Sequence, residues 1–212
     1  MVESKFSLDQ ARRYYDLWGA RYDWFTFYEA RSKSCALGKL LLEPGLWVLN
    51  VGIGTGKEHT IIQQGIAPDG KAFGLDISRR MLSVAEQRTQ APLCEADAGH
   101  LPFADGSFDR LFCAYVLDLV PINQVPFWLL EFRRVLRAGG RMVTVNLTEG
   151  VNWPSRSFVW IWKLAYSISP VTCGGCQPLQ LADLIQEAGF LDIRREVVVQ
   201  LGIPSEVITA GL

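Results

Sequence analysis

Between residues 48 and 188 the chain alternates short, β-branched apolar runs with amphipathic stretches, and nothing else in the sequence restricts its fold as strongly. Runs at 48–51, 72–75, 92–96, 109–115 and 141–147 read as strands. Helical patterns fall at 58–65, 78–87, 123–136 and 178–188, with Ser78 as an N-cap and Ala138-Gly139-Gly140 as a glycine C-cap signal. Strands joined through helices of this length need crossovers, which are right-handed, so these five should lie parallel in one sheet. Two late runs, 193–201 and 206–210, are joined by too short a connection for a crossover and should pair antiparallel. The expectation is an α/β fold in one domain spanning residues 1–212. Its core would be a doubly wound, seven-stranded, mainly parallel sheet with an antiparallel C-terminal edge strand. Ligands of such sheets sit beyond the carboxyl ends of the strands, where strand order reverses.

The first strand runs into "VGIGTGKEH", a Gly-x-Gly-x-Gly turn that opens a helix. Gly52 lets the chain turn off the strand. Gly54 lets a backbone N–H approach a ligand with no Cβ in the way, and Gly56 lets the helix start close to the sheet. Asp76 ends the second strand 24 residues past Gly52, where an acid can accept both hydroxyls of a ribose. A dinucleotide turn has a different spacing, G-x-G-x-x-G, and here its third glycine position is Lys57. That long side chain argues against a nicotinamide-dependent oxidoreductase. A turn that binds nothing is the bland alternative, and the strand–turn–helix context speaks against it.

Composition narrows the class. Apolar residues make up 49% of the chain and charged residues 20%, as in globular proteins. The net charge is -1 and the Lys and Arg are scattered, so no nucleic-acid partner is expected. No apolar run approaches a membrane span, and the Met1 end shows no basic-then-apolar leader. An odd number of cysteines, 5, fits a reducing compartment, so a cytoplasmic location is expected.

Four stretches in order, "VLNVGIGTGKEH", "AFGLDISRRML", "CEADAGHLPFADGSFD" and "LEFRRVLRAGGRMVTV", resemble the successive motifs of class I S-adenosylmethionine-dependent methyltransferases. The resemblance runs from about Tyr14 to the C-terminus. It is greatest to the ubiquinone/menaquinone-biosynthesis and bacterial phosphatidylethanolamine N-methyltransferases. It implies a Rossmann-like methyltransferase fold and S-adenosyl-L-methionine as cofactor. Gly52, Gly54 and Gly56 would face the methionine and ribose parts, Asp76 the ribose hydroxyls, and Ile77 the adenine ring. Asp97 would accept from the adenine amino group, Ala98 would offer its backbone N–H, and Cys113 and Ala114 would lie under the methionine end. The ligand carries a sulfonium and no phosphate, which favours acids and aromatics over a basic cradle. One departure stands out: the family usually has Asp or Glu where this chain has Asn50, which keeps an acceptor oxygen and loses the charge.

Methyl transfer needs alignment and exclusion of water more than a general base. Asp118 and Tyr115, just past the fourth strand, are the candidates for acceptor contact, and Asp118 reads equally as a turn cap. The segment 6–28 holds nine of the 24 aromatics and resembles the N-terminal lid of the same families, with Tyr15, Trp18 and Tyr22 near helical spacing. Residues 1–43 would form that lid. Residues 149–177 would form an insertion over the acceptor side, with Trp160 and Tyr166 as candidate contacts. Ordinary core packing is the competing account of both segments. A small-molecule or lipid acceptor follows, either a phospholipid amine or a quinone precursor. Peripheral contact with a membrane is a further expectation. Cys173-Gly-Gly-Cys176 has no matching ligand pair elsewhere, so no metal site is expected and the thiols read as incidental to a loop, with a soft-metalloid acceptor such as arsenite bound by both as the minor alternative. A non-catalytic cofactor-binding protein on the same fold remains the rival reading, and oligomeric state is not legible.

Overall fold

A computed structural model describes residues 7–212. The sheet has seven strands: β1 (Trp47–Val51), β2 (Lys71–Asp76), β3 (Leu93–Glu95), β4 (Phe108–Ala114), β5 (Leu136–Leu147), β6 (Leu191–Gln200) and β7 (Ile203–Gly211). Their spatial order is β3-β2-β1-β4-β5-β7-β6, and strands β1 to β5 pair parallel. The expected antiparallel C-terminal strand is β7. It pairs antiparallel with both β5 and β6, so it lies one place in from the edge and β6 forms the rim. Strand order reverses between β1 and β4, and the carboxyl ends of those strands frame the site.

Eight helices accompany the sheet among the described residues: α1 (Leu8–Trp18), α2 (Tyr22–Phe25), α3 (Ala30–Lys39), α4 (Lys57–Ile66), α5 (Arg79–Glu86), α6 (Val125–Val135), α7 (Trp153–Ile168) and α8 (Ala182–Glu187). Side chains alternate along β1, so Val48 packs with Leu40 of α3 and Ile62 of α4. Leu49 and Val51 join the core beneath α6 and α8, with Leu129, Phe132 and Ile185. Both faces are covered, which is why the parallel strands read as continuous apolar runs. Ser78 caps α5 as expected, its side chain accepting from the Met81 N–H at 3.1 Å.

Two expectations fail for physical reasons. Gly139 and Gly140 do not end α6, which stops at Val135 and passes directly into β5. They form a bend inside β5, where the register jumps from Leu136 to Arg141 and Gly139 has φ 76°. There the Gly139 N–H donates to the Leu212 carbonyl and the Leu212 N–H to Gly140, both at 3.1 Å, so the bend ties down the C-terminus. The helix expected from residue 178 begins only at Ala182. The Leu179 N–H donates to the Leu147 carbonyl at 2.9 Å and the Leu181 N–H to Glu206 Oε1 at 2.8 Å, which holds this stretch extended against the sheet.

Candidate active site

The floor of the site is the turn after β1. Gly52 has φ 67°, and a Cβ built there would stand 2.2 Å from Val116 Cγ2. Gly54, φ 55°, meets nothing within 4 Å, so its backbone borders open space. Gly56 caps α4 in the left-handed region, and a Cβ there would press on Ala85 of α5 at 3.1 Å. Its closeness therefore serves the contact between two helices, not between helix and sheet. Lys57 borders the cavity half-exposed, with Nζ 3.5 Å from Asp23.

Asp76 joins this loop to the next. Its Oδ2 accepts the Gly54 N–H and its Oδ1 the Ser78 N–H, each at 2.9 Å. Burial pushes its pKa up to about 6 despite those donors, because a carboxylate out of water is costly. Asn50, Gly52, Gly54, Asp76, Ile77, Asp97 and Ala98 all line one cavity of about 370 Å³, and Gly56 does not reach it. Asp97 holds its turn by accepting the Gly99 N–H at 2.8 Å. Among the described residues the lining carries the acids Asp23, Glu58, Asp76 and Asp97 beside Lys33 and Lys57, and no arginine. Open space lies over Gly54, and a Cβ there would intrude on it. Four carboxylates against two lysines leave the lining net acidic, which favours a cationic nucleoside over a phosphorylated one.

Asn50 is buried and its Nδ2 lies 3.5 Å from Nδ1 of His59, itself fully buried on α4. Desolvation lowers the His59 pKa to about 4, so the ring is neutral and can accept from the amide. The neutral side chain at position 50 thus stands before a neutral imidazole, and the amide oxygen remains the atom able to accept from a ligand.

The roof comes from α1 and α2. Arg12 Nε donates to the Ile77 carbonyl at 3.2 Å, and Asp16 Oδ1 accepts from Ser78 Oγ at 2.6 Å. Asp23 accepts from Thr55 Oγ1 at 2.6 Å and pairs with Arg88 at 2.6 Å. Burial opposes its ionisation, but Thr55 and Arg88 hold its pKa below the usual carboxylate range. The N-terminal segment is therefore clasped to the loops after β1 and β2, over the cavity. Asp23→Ala is expected to lower stability by about 1–2 kcal/mol, since Arg88 and Lys57 are partly exposed. It should also speed proteolysis at residues 7–29 relative to the sheet, read by a urea midpoint and timed digestion.

A smaller lobe of about 130 Å³ adjoins the main cavity, and Tyr15, Tyr22 and Tyr115 border both. Its far wall is Trp162 and the Cys173–Cys176 turn. Trp162 Nε1 donates to the Cys176 carbonyl at 2.8 Å, and the Tyr15 hydroxyl to the Gly174 carbonyl at 3.4 Å. Burial pushes both thiols up, so they are protonated, and all five cysteines are free. The Cys-Gly-Gly-Cys stretch is thus the turn that holds α7 against α1.

Several candidate contacts stand elsewhere. Asp118 lines neither cavity: its Oδ2 accepts the Leu147 N–H at 3.0 Å beneath the site, and burial raises its pKa to about 7. Tyr115 borders the site, but its hydroxyl is held by Ser32 at 2.8 Å and Ser205 at 2.7 Å and is not free to act as a base. Its φ of 55° is strained for a bulky residue, and it directs Val116 onto Gly52. Cys113 points into the core beneath α6, while its neighbours Phe112 and Ala114 line the cavity. Trp18 packs on Tyr14 outside both cavities. Trp160 faces solvent, and Tyr166 is buried away from both. Sequence reasoning missed Glu29 and Lys33, an ion pair at 2.7 Å: Lys33 lines the main cavity and Glu29 the lobe. Their i, i+4 spacing was the available signal.

A methyltransferase-domain family profile matches residues 49–144. The chain is similar to a demethylmenaquinone methyltransferase of Symbiobacterium thermophilum, with 30% identity over 177 residues that cover 70% of each protein. It is also similar to an arsenite methyltransferase of Halobacterium salinarum, with 28% identity over 70% of this chain and 38% of that one. In shape it resembles an S-adenosylmethionine-dependent methyltransferase from Thermotoga maritima, with a TM-score of 0.72, 20% identity, and coverage of 94% of this chain and 98% of that chain.

Proposed function

This chain belongs to the class I S-adenosylmethionine-dependent methyltransferases, and from that premise we propose that it methylates a lipophilic, ring-bearing acceptor of the quinone-precursor type. The observation that carries the acceptor reading is the lobe: a small, tyrosine-rich chamber that shares Tyr15, Tyr22 and Tyr115 with the cofactor cavity. Bound S-adenosylmethionine supplies an electrophilic methyl on a sulfonium. Asp76 is the residue assigned to the ribose hydroxyls, Ile77 and Ala98 to the adenine, and the Gly52–Gly54 backbone to the amino-acid end. Tyr15 and Tyr22 exclude water from the junction and orient the acceptor ring. Lys33, paired with Glu29 at the same junction, is suited to hold a ring oxygen of the acceptor. The relatives named for demethylmenaquinone methylation favour a quinol over a phospholipid amine.

The test is incubation with trideuteromethyl cofactor and a panel of reduced demethylated naphthoquinone, phosphatidylethanolamine and arsenite, followed by mass spectrometry. Label on the naphthoquinol alone is expected. Label only on the amine or on arsenite overturns the acceptor class, and cofactor binding without label on any of them favours a non-catalytic role. Asn50→Asp is a second check. It restores the family's usual acid, and cofactor affinity is expected to rise about fivefold, by roughly 1 kcal/mol, in calorimetry.

A further inference from the structure

Helix α7 is apolar on two sides. Its inner side carries Val159, Trp162 and Tyr166, and Trp162 walls the lobe. Its outer side carries Trp153, Trp160, Leu164 and Ile168, which are 79%, 68%, 52% and 79% exposed. With 3.6 residues per turn these four, together with Ile161, fall within an arc of about 100°. A helix apolar all round is ordinarily buried, and the outer face of this one is uncovered among the described residues.

Charge indicates what that partner is. From Gly150 to Cys176 the only charged residues are Arg156 and Lys163, both positive, in a chain whose net charge is -1. Both lie on one flank of the exposed arc, and Lys163 also pairs with Glu149. Tryptophan and aliphatic side chains on one face with cations beside them suit the interface of an anionic bilayer. Among the described residues no helix is long and apolar enough to cross a membrane, so the contact is peripheral.

We infer that the outer face of α7, centred on Trp160 and Leu164, docks this protein on an anionic membrane surface. The surface stands on the geometry of α7. Its use, delivering a lipophilic acceptor to the lobe that the same helix walls, rests on the function proposed above.

The test is flotation of the full chain with phosphatidylcholine vesicles, with and without an equal part of phosphatidylglycerol. The intact protein is expected to float, and more so with phosphatidylglycerol. Trp160→Ser/Leu164→Ser should reduce partitioning at least about tenfold, because two exposed apolar side chains no longer enter the interface. Arg156→Glu/Lys163→Glu should abolish the preference for phosphatidylglycerol. Both sites are on the surface, so an unchanged melting temperature and unchanged S-adenosylmethionine affinity by calorimetry verify the fold. Absence of flotation by the intact chain overturns the inference, as does flotation unaffected by the serine variant. Sedimentation showing a dimer that the serine variant dissolves also overturns it, since a second copy would then cover the face. Flotation without cofactor binding would leave the docking surface standing and remove the catalytic reading.

Discussion

Asp76→Ala is expected to weaken S-adenosylmethionine binding about 100-fold or more while leaving the protein folded. The carboxylate fastens both loops of the floor, through Gly54 and Ser78, and it is the acceptor assigned to the ribose hydroxyls. Hydrogen bonds to a charged group contribute about 1.5–3 kcal/mol each, and losing two of them accounts for that factor. The same residue makes binding depend on pH. Its pKa in the folded protein is raised from 3.8 to about 6 by burial. A carboxyl raised in this way favours the folded state below the unfolded pKa and loses that contribution as pH rises from 3.8 through about 6. Above that range the ionised group costs roughly 3 kcal/mol of stability. Ligand hydroxyls need the ionised form, so affinity should fall about tenfold per unit as pH drops below 6. Asp76→Asn should weaken binding about tenfold and flatten the profile, since it keeps an acceptor and loses the charge. Calorimetry between pH 5 and 8 reads all three, and a flat profile in the intact protein would refute the assignment.

Gly52→Ala is expected to be severely damaging, lowering stability by about 3–4 kcal/mol. Two effects combine. At φ 67° a side chain pays the left-handed penalty of about 1–2 kcal/mol. The new Cβ also falls 2.2 Å from Val116 Cγ2, on backbone that follows Tyr115, whose hydroxyl is anchored by Ser32 and Ser205. Overpacking of this kind costs about 1–3 kcal/mol. A fall in melting temperature of about 10 °C should follow. Gly52→Ala/Val116→Ala removes the clash and keeps the strain, so it should recover about half of the loss. Failure of the second substitution to recover anything would mean that Val116 is not what crowds Gly52.

Much of this was legible in the sequence because it depends on local chemistry. The apolar runs named the strands, the glycine turn and Asp76 named the floor, and the short connection between the last two strands required an antiparallel pair. What failed depended on tertiary context. Gly139 and Gly140 carry the composition of a helix cap but serve a bend that pairs with Leu212. Asp118 stands where an acceptor contact would be, yet the short turn at Leu117–Leu119 rotates its carboxylate under the Leu147 N–H. Trp160 and Trp162 could not be told apart, because α7 is apolar on both sides and periodicity then marks no interior. Cys113 alternates to the wrong face of β4, which a count from the cavity-lining Ala114 could have shown. Lys33 and Glu29 were overlooked because an i, i+4 pair ordinarily marks a solvated face, whereas this one is sheltered by the aromatic roof.

The central claim is that the cavity over Gly54 and Asp76 holds S-adenosylmethionine. Titration calorimetry of the intact chain tests it most directly. One-to-one binding is predicted, displaced by S-adenosylhomocysteine, weakened as the pH drops below about 6, and largely lost in Asp76→Ala. No heat at millimolar cofactor at neutral pH, or binding that Asp76→Ala leaves intact, would contradict it.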